Sequence, residues 1–261
     1  MRPTGYEPLN TPKPVAPDLW VIDGPAVRFH GLPFSTRATV IRLENGDLWV
    51  HSPTPRTDAL RSELENLGPV RHLIAPNWSH YAHIAAWQVA WPGATAWAAP
   101  GVVARAAKQG LTLRFDHDLG EGAEEPWAGQ IDQMIVGGSR LHREAVFFHR
   151  ATETLVLTDL IENFETAKLP AWMRPLVWLA GLDAPRGRMP PDMYWSFRDK
   201  ARLADCVERM IAWAPRRVLL AHGRWFERDG VAELERAFRP LLRDRRWATI
   251  LTRIERDREG R

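Results

Sequence analysis

Apolar and polar positions alternate along the first part of the chain in the pattern of short β-strands. Such strands are predicted at residues 19–24, 26–30, 37–43 and 48–51. Asn45-Gly46 lies between the last two strands and predicts a tight hairpin turn. Leucines at 60, 64 and 67, separated by charged residues, then predict an amphipathic helix that begins at Thr57 or Asp58 and ends at Gly68.

A continuous apolar run, Val70 to Ala75, predicts a buried strand that leads into a polar loop with two histidines. Such a loop lies at the carboxyl edge of a sheet, where α/β proteins usually have their sites. If Ser79 opens a helix, His80 and His83 lie three residues apart on one helical face and are able to bind one metal or two adjacent metals. The alternative is a pair of structural, hydrogen-bonded histidines, and the spacing alone does not decide between the two.

Strands and helices alternate after this loop, and a hairpin follows. The pattern predicts a strand at 94–98, a helix at 102–109, a polar surface segment at 110–129 and a strand at 131–136. Strands 144–149 and 154–159 flank a four-residue turn. If His149 pairs with Thr154, antiparallel counting places Glu144 opposite Asp159 at the far end of the hairpin from His149.

The last third of the chain begins with a segment rich in tryptophan and proline, 164–195, which we expect to form a helical lid. An amphipathic helix is predicted at 200–213, a strand at 217–221 that ends in His222-Gly223, and a further helix at 231–242. Residues 1–18 contain five prolines and are expected to form an extended arm. Residues 19–261 are expected to form a single domain.

Composition narrows the class of protein. The 35 basic residues face 32 acidic ones, so the net charge of +3 does not imply nucleic acid. A single cysteine, Cys206, excludes an internal disulfide and a thiolate metal cluster, and favours a reducing compartment. The start of the chain has no apolar signal segment, and no stretch reaches the ~18 continuous apolar residues of a membrane span. We therefore expect a cytoplasmic protein.

The order of strands, histidine-bearing loop, hairpin ending in Asp and final strand ending in His-Gly resembles the metallo-β-lactamase superfamily. The resemblance covers about residues 19–225 and implies an α+β fold, a four-layer αββα sandwich of two mixed β-sheets with helices outside. In the family motif His-x-His-x-Asp-His, His80 matches the second histidine and His83 the last. Trp78 and Ala82 stand where the first histidine and the Asp belong. The chain also looks like an uncharacterised bacterial branch of the superfamily that has Pro-Asn-x-x-His in this loop.

The resemblance implies a metal site. Asp159 matches the carboxylate that bridges two metals, and His222 matches the terminal histidine. Of the two metal positions in the family site, the better-preserved one places a metal with His83, Asp159 and His222, with His80 as the nearest fourth ligand. The metal is expected to be zinc, with iron or manganese as alternatives. At the other metal position, either His142 or Glu144 would complete the ligand set. Asn77 would reach the site from the strand end, although an amide is a poor ligand for zinc or iron.

The resulting hypothesis is a metal-dependent hydrolase with a reduced, mononuclear site, in which a metal-bound water is the nucleophile and His80 and Asp159 are catalytic. Four residues are expected to line the substrate cleft: Asn77, Trp78, Glu144 and His51. The competing hypothesis is a metal-free protein of the same fold that binds a small ligand. It is supported by Trp78 and Ala82, which replace polar ligands.

Two surface segments have alternative interpretations. Residues 168–182 mix cationic and aromatic side chains, which suggests membrane attachment, but Pro170 and Pro175 interrupt the helix and favour a lid over a cleft. The Arg-rich segment 236–261 suggests nucleic acid, but interleaved acids such as Asp244 favour a solvated helix. For the other histidines a structural role is expected: His30, His72, His117 and His149. Substrate and oligomeric state are not determined by the sequence.

Overall fold

The computed structural model describes residues 6–29 and 32–259. His30 lies outside these residues. Within the described residues the strands form two sheets. The larger sheet has seven strands: β1 Lys13–Ala16, β2 Leu19–Phe29, β3 Leu32–Arg42, β4 Leu48–His51, β5 Val70–Ala75, β6 Thr95–Ala98 and β7 His117–Asp118. The smaller has four: β8 Ile131–Val136, β9 Glu144–His149, β10 Thr154–Val156 and β11 Arg217–Leu219.

Both sheets are mixed. In the larger sheet β1 to β4 pair antiparallel and β4 to β7 pair parallel, in sequence order across the sheet. In the smaller sheet β8, β9 and β10 pair antiparallel and β11 pairs parallel to β10. The inner faces of the two sheets share one apolar core, because Phe147 and Val156 of the smaller sheet pack in the same cluster as Trp49 and Ile74 of the larger one.

The α-helices in the described part of the chain cover the outer faces of the sheets or form the 164–195 segment. They are α1 Asp58–Leu67, α2 Ile84–Ala90, α3 Val102–Lys108, α4 Arg174–Ala180, α5 Pro191–Ser196, α6 Lys200–Ala212, α7 Gly230–Ala237 and α8 Arg239–Glu259. Leu64 of α1 and Val102 of α3 pack in the core of the larger sheet. Leu203 of α6 and Leu241 of α8 pack with Val136 in a second cluster on the smaller sheet. The αββα sandwich predicted from the sequence is confirmed.

Short-range signals set several boundaries as predicted. The Thr57 side chain accepts a hydrogen bond from Leu60 N and caps α1, which ends at Gly68. Residues 150–152 form a 3-10 turn, and His149 pairs with Thr154 across the hairpin as the counting required. β10 is three residues shorter than predicted, because the backbone N–H groups of Thr158 and Asp159 donate to the Glu144 carboxylate instead of extending the sheet.

Tertiary contacts override the sequence pattern in other places. The 110–129 segment was predicted to run over the surface, but His117–Asp118 adds a strand and a 3-10 turn, Glu125–Trp127, buries the Trp127 indole completely in the core. The helix predicted at 231–242 is two helices, since Pro240 lacks an N–H and its ring excludes a continuous helix past Phe238. The described part of the N-terminal arm, 6–18, includes the edge strand β1.

The segment 164–195, for which a lid was expected, contains the 3-10 turn Thr166–Lys168 and the helices α4 and α5. Five of its buried side chains form a separate small cluster, against which Phe34 of β3 packs: Phe164, Leu169, Met173, Val177 and Leu182. Met189 and Met193 pack in the cluster on the smaller sheet. None of the helices in the described part of the chain is long and apolar enough to cross a membrane.

Candidate metal centre

Three metal-ligand side chains from separate parts of the chain meet at one point. His80 Nε2 and His222 Nε2 each lie 3.0 Å from the same carboxylate oxygen, Asp159 Oδ1. Among the described residues this is the group whose ligand atoms all lie within 4.8 Å of one another. The convergence predicted for these three residues is therefore present in the structure.

The topology explains why they meet. His80 follows β5, Asp159 follows β10, and His222 follows β11. Each of these strands belongs to a parallel pair, so its carboxyl end opens at the edge of its sheet. The site lies where the corresponding edges of the two sheets face each other.

The loop after β5 differs from the predicted helix, and this changes which histidine reaches the site. Asn77 Oδ1 accepts hydrogen bonds from the backbone N–H groups of Ser79 (2.8 Å) and His80 (3.1 Å), which holds this stretch in a turn. Helix α2 consequently begins at Ile84, and the prediction that Ser79 opens it is wrong.

His83 is half-buried and stands at the N-terminal boundary of α2, outside the group of three ligands. Burial lowers its pKa. Because the turn separates the two imidazoles, His80 takes the place beside Asp159 and His222 that was expected for His83. This is the main correction to the predicted ligand set.

The far nitrogen of each imidazole is held in place. His222 Nδ1 lies 2.8 Å from the backbone carbonyl oxygen of Ser35, which can only accept, so Nδ1 carries the proton in the neutral ring. That tautomer directs the lone pair of Nε2 towards Asp159. His80 Nδ1 lies 2.7 Å from Ser52 Oγ. Such fixed outer partners are typical of histidines that bind metals.

Charge in the cluster is strongly coupled. Burial alone raises the pKa of Asp159, but the His80 and His222 imidazoles outweigh it and hold that pKa well below its usual range. Burial alone lowers the pKa of His80, and the Asp159 carboxylate reverses this and raises it. The site therefore keeps Asp159 ionised, which is the form that binds a metal.

A buried network behind Asp159 fixes its second oxygen. The Asn77 amide nitrogen lies 2.8 Å from Asp159 Oδ2, 2.8 Å from Thr158 Oγ1 and 3.3 Å from Glu144 Oε2. Burial, followed by the Asp159 charge, raises the pKa of Glu144. Asn77 and Glu144 line the narrow cleft beside Trp78, as expected. Both are buried and bonded within the protein, so they also support the site from behind.

His142 and Trp78 lie beside the network, at the mouth of a narrow cleft. His142 Nδ1 lies 2.8 Å from Ser196 Oγ of α5, and its ring meets Trp78 edge to face at 5.4 Å. The cavity there, which Asp159 and Phe197 also line, measures about 10 Å³, roughly the space of one water molecule. His142 is not in the ligand group, whereas Trp78 lines the cleft as expected.

His51, expected at the edge of the cleft, is buried. Its ring stacks on Trp49 at 5.7 Å and meets Phe147 edge to face at 5.5 Å, and its Nε2 has no hydrogen-bond partner. Burial, with a smaller effect from the charge of His80, lowers its pKa to about 3. His51 is thus a neutral core residue, and the neighbouring Ser52 is the one that contacts His80.

A buried ion pair positions the loop that carries His222. Arg37 of β3 binds Asp23 of β2 and also donates to the backbone carbonyls of Leu220 (2.6 Å) and Gly223 (2.9 Å). Gly223 has a φ of +84°, and a Cβ at this position would lie 2.0 Å from the Asn163 carbonyl oxygen. The sequence reasoning missed the contributions of Ser35, Arg37 and Ser52, which carry no motif. For Ser52 alone the sequence held a signal: it directly follows β4 and is the neighbour of His51, which was expected to line the cleft.

The donor set fits a divalent metal. Two neutral imidazoles and one carboxylate are the ligands that zinc, iron and manganese accept, and three protein ligands leave a coordination position open. Their atoms already lie close together, so a metal requires small side-chain movements.

The comparisons with known proteins identify a sequence family and a fold. A family described as a domain of unknown function, DUF4336, matches residues 19–176, a range that includes His80 and Asp159 and ends before His222. No curated protein matches the sequence.

Solved metallo-β-lactamases have the same fold. DIM-1 metallo-β-lactamase exposed to ceftazidime is 14% identical, with a TM-score of 0.61 over 87% of this chain and 93% of that one. FIM-1 from Pseudomonas aeruginosa, in its mono-zinc form, is 12% identical, with a TM-score of 0.61 over 90% and 95%. The enzyme from Pontibacter korlensis is 13% identical, with a TM-score of 0.60 over 88% and 98%. At these identities the likeness shows the fold.

Proposed function

Because the chain belongs to the DUF4336 family and has the metallo-β-lactamase fold, we propose that it is a metal-dependent hydrolase with one metal held by His80, Asp159 and His222. The observation that carries the proposal is the convergence of these three ligand atoms within 4.8 Å. Zinc is the metal that the two imidazoles and one carboxylate favour, with iron and manganese as alternatives. The mono-zinc FIM-1 structure is an example of this fold with a single metal.

A divalent metal held by His80, Asp159 and His222 would lower the pKa of a bound water from ~15.7 to about 7 and so would supply a nucleophile at neutral pH. The protein residues have separate tasks. His80 and His222 direct Nε2 towards the site because Ser52 and Ser35 hold their Nδ1 atoms. We assign Asp159 as the carboxylate that would bind the metal through Oδ1, which faces the two imidazoles, while the Asn77 amide holds its Oδ2.

The Asn77 amide supports a single-metal site. Its nitrogen contacts three oxygens, on Glu144, Thr158 and Asp159, at 2.8 to 3.3 Å, where a cation would otherwise balance the two carboxylates. The hydrogens of the amide therefore stand in for a second metal. Trp78 and Ala82, which replace two family ligands, agree with the same conclusion.

We propose that the substrate is a small molecule that approaches the metal ligands from beside Trp78, at the mouth of the narrow, water-sized cleft. We do not propose a nucleic-acid partner, because the arginines of the C-terminal segment are interleaved with acids. We do not propose membrane attachment either, because the buried face of α4 packs on Phe34. The single cysteine favours a cytoplasmic location.

One observation favours the competing function, a metal-free protein that binds a small ligand. Both imidazole Nε2 atoms lie 3.0 Å from Asp159 Oδ1, and an imidazole that carries a proton on Nε2 as well as on Nδ1 donates to this oxygen, so the protonated cluster satisfies itself without a metal. This arrangement binds no metal if the network is too stable to open.

Elemental analysis of protein purified without chelator separates the two functions. The hydrolase proposal expects close to one equivalent of metal per chain, lost in His222→Ala and retained in His83→Ala. Wild-type protein that stays metal-free with zinc, iron and manganese each supplied in excess would refute the hydrolase and favour the binding protein.

A further inference from the structure

The ring of Tyr6, in the N-terminal arm, contacts two cationic side chains. The Arg37 guanidinium carbon lies 5.0 Å from the ring centroid, and the Lys168 ammonium nitrogen lies 3.4 Å from it. A cation within about 6 Å of a ring centroid is attracted to the ring. Arg37 belongs to β3 and Lys168 to the 3-10 turn Thr166–Lys168, so one aromatic side chain joins the arm to two segments that are distant in sequence.

The arm is itself fixed on the larger sheet. Lys13 of β1 donates from Nζ to the backbone carbonyl oxygen of Tyr6 over 2.6 Å and forms an ion pair with Asp23 of β2. Asn10 donates its backbone N–H to the Asp23 carbonyl oxygen over 2.7 Å. The buried Asp23 carboxylate also binds Arg37. The same carboxylate therefore sets the place of the arm and the orientation of the guanidinium that the Tyr6 ring contacts.

Arg37 connects the Tyr6 ring to the metal centre. Its guanidinium donates to the backbone carbonyl oxygens of Leu220 and Gly223, which flank His222 in the chain. Because both carbonyls belong to the loop that carries His222, the Tyr6 ring is one contact away from a loop that supplies a metal ligand.

The segment 163–168, which contains the second cation, lies against the same ligand. The Asn163 backbone N–H donates to the His222 carbonyl oxygen over 3.4 Å. The Phe164 ring meets Phe34 edge to face at 5.8 Å, and Phe34 meets the His222 ring edge to face at 5.2 Å. A backbone contact and an aromatic chain therefore connect this segment to His222.

We propose that Tyr6 is a positioning residue for the metal centre, which ties the N-terminal arm to both of the segments that hold His222. The neutral ring has this role. Burial, followed by the Glu165 carboxylate, raises the pKa of Tyr6, so its hydroxyl keeps the proton at neutral pH. The effect of Tyr6 on metal binding rests on the proposed function, whereas its effect on the order of the His222 loop does not.

Amide hydrogen exchange of the full, metal-free chain tests the effect on the loop. Tyr6→Ala should speed exchange in peptides that cover 163–169 and 220–224, because both segments lose a contact that restrains them. Tyr6→Phe keeps the ring and should exchange as the wild type does. The matched control is Trp20→Ala, which removes the ring that lies 5.6 Å from the Arg42 guanidinium, and it should leave both peptides unchanged. Unchanged exchange in Tyr6→Ala, or an equal increase in Tyr6→Phe or Trp20→Ala, would overturn the proposal.

Two further measurements separate a local effect from a general loss of stability. Exchange in β9, a fully buried strand, is the internal reference, and an increase there as large as at 220–224 would count against the proposal. Lys168→Met leaves the arm and Arg37 in place and is the second variant if Tyr6→Ala does not fold. It should speed exchange at 163–169 and at 220–224, and no increase in either peptide would overturn the proposal.

Zinc binding, measured by competition with a chelator, tests the effect on the metal centre. Tyr6→Ala should raise the zinc dissociation constant at least about 5-fold, less than the roughly 10- to 100-fold effect of losing a direct partner of a ligand. In the Arg37→Met background the same change should have a smaller effect, because part of it acts through Arg37. Full additivity would show that Tyr6 does not act through the guanidinium. A wild type that binds no zinc refutes the hydrolase, and the exchange measurements then decide the role of Tyr6 alone.

Discussion

The side-chain amide of Asn77 donates a hydrogen bond over 2.8 Å to Asp159 Oδ2, and the amide oxygen of the same residue accepts the backbone N–H of His80. One buried side chain therefore sets both the turn that carries one ligand and the orientation of another. Its loss should affect metal binding and stability together.

The first prediction is that Asn77→Asp creates a second cation site. The change places a third carboxylate beside Glu144 and Asp159 and removes the amide hydrogens that now balance them. We expect a second equivalent of zinc or manganese by isothermal titration calorimetry, and a lower melting temperature in chelator than wild type. Asn77→Ala, which removes the amide without adding charge, should lose stability and gain no metal. A single equivalent in Asn77→Asp would contradict the role of the amide as a substitute for a metal.

The second prediction concerns the ligand set. His222→Ala and His80→Ala should each abolish stoichiometric metal binding, because either change leaves only two of the three ligands. His83→Ala and His142→Ala should retain about one equivalent, since both residues lie outside the cluster. Metal content by elemental analysis is the measurement. Loss of metal in His142→Ala together with retention in His222→Ala would show that the assignment is reversed.

The third prediction concerns the support of His80. Ser52→Ala removes the partner of Nδ1 and frees the imidazole to rotate, so the metal dissociation constant should rise about 10- to 100-fold while the stoichiometry at saturation stays the same. The matched control is Ser196→Ala, which removes the corresponding partner of His142. Competition with a chelator of known affinity measures both. Equal effects of the two changes would argue against a metal on His80.

The fourth prediction is a pH dependence of stability from His51. Its pKa is about 3 in the folded protein and 6.5 in the unfolded chain, so the unfolded chain takes up the proton first as the pH falls. The stability associated with neutral, buried His51 is therefore present above pH 6.5 and is lost as the pH falls below it. The free energy of unfolding should fall by about 2 kcal/mol from this residue between pH 7 and pH 5. His51→Phe keeps the ring between Trp49 and Phe147 and removes this loss. Urea unfolding at the two pH values should show a smaller difference in the variant, and an unchanged difference would refute the assignment.

The fifth prediction concerns the ion pair behind His222. Arg37→Met removes the donor to the Leu220 and Gly223 carbonyls and leaves the buried Asp23 with Lys13 alone. The free energy of unfolding should fall by about 3 kcal/mol or more, and metal affinity should fall with it. Arg42→Met, which breaks an exposed ion pair with Asp18, should cost no more than about 1 kcal/mol. Equal losses in the two variants would contradict this account.

Local sequence determined much of the scaffold. The Thr57 cap and Gly68 stop defined α1, and the four-residue turn fixed the register that brings Glu144 to Asp159. These features depend on residues close together in sequence, whose preferences need no knowledge of the rest of the chain. The resemblance to the metallo-β-lactamase superfamily also identified Asp159 and His222 correctly as members of one cluster.

Tertiary structure decided which histidine completes the cluster. Helical spacing and motif alignment both favoured His83, but the Asn77 side chain turns the loop and is itself held by Thr158 and Asp159, about 80 residues later in the chain. The same is true of Arg37, which reaches the His222 loop across 183 residues of sequence. Contacts of this kind arise only when the two sheets pack, because burial makes an unpaired amide or guanidinium costly and so selects the conformation that satisfies it.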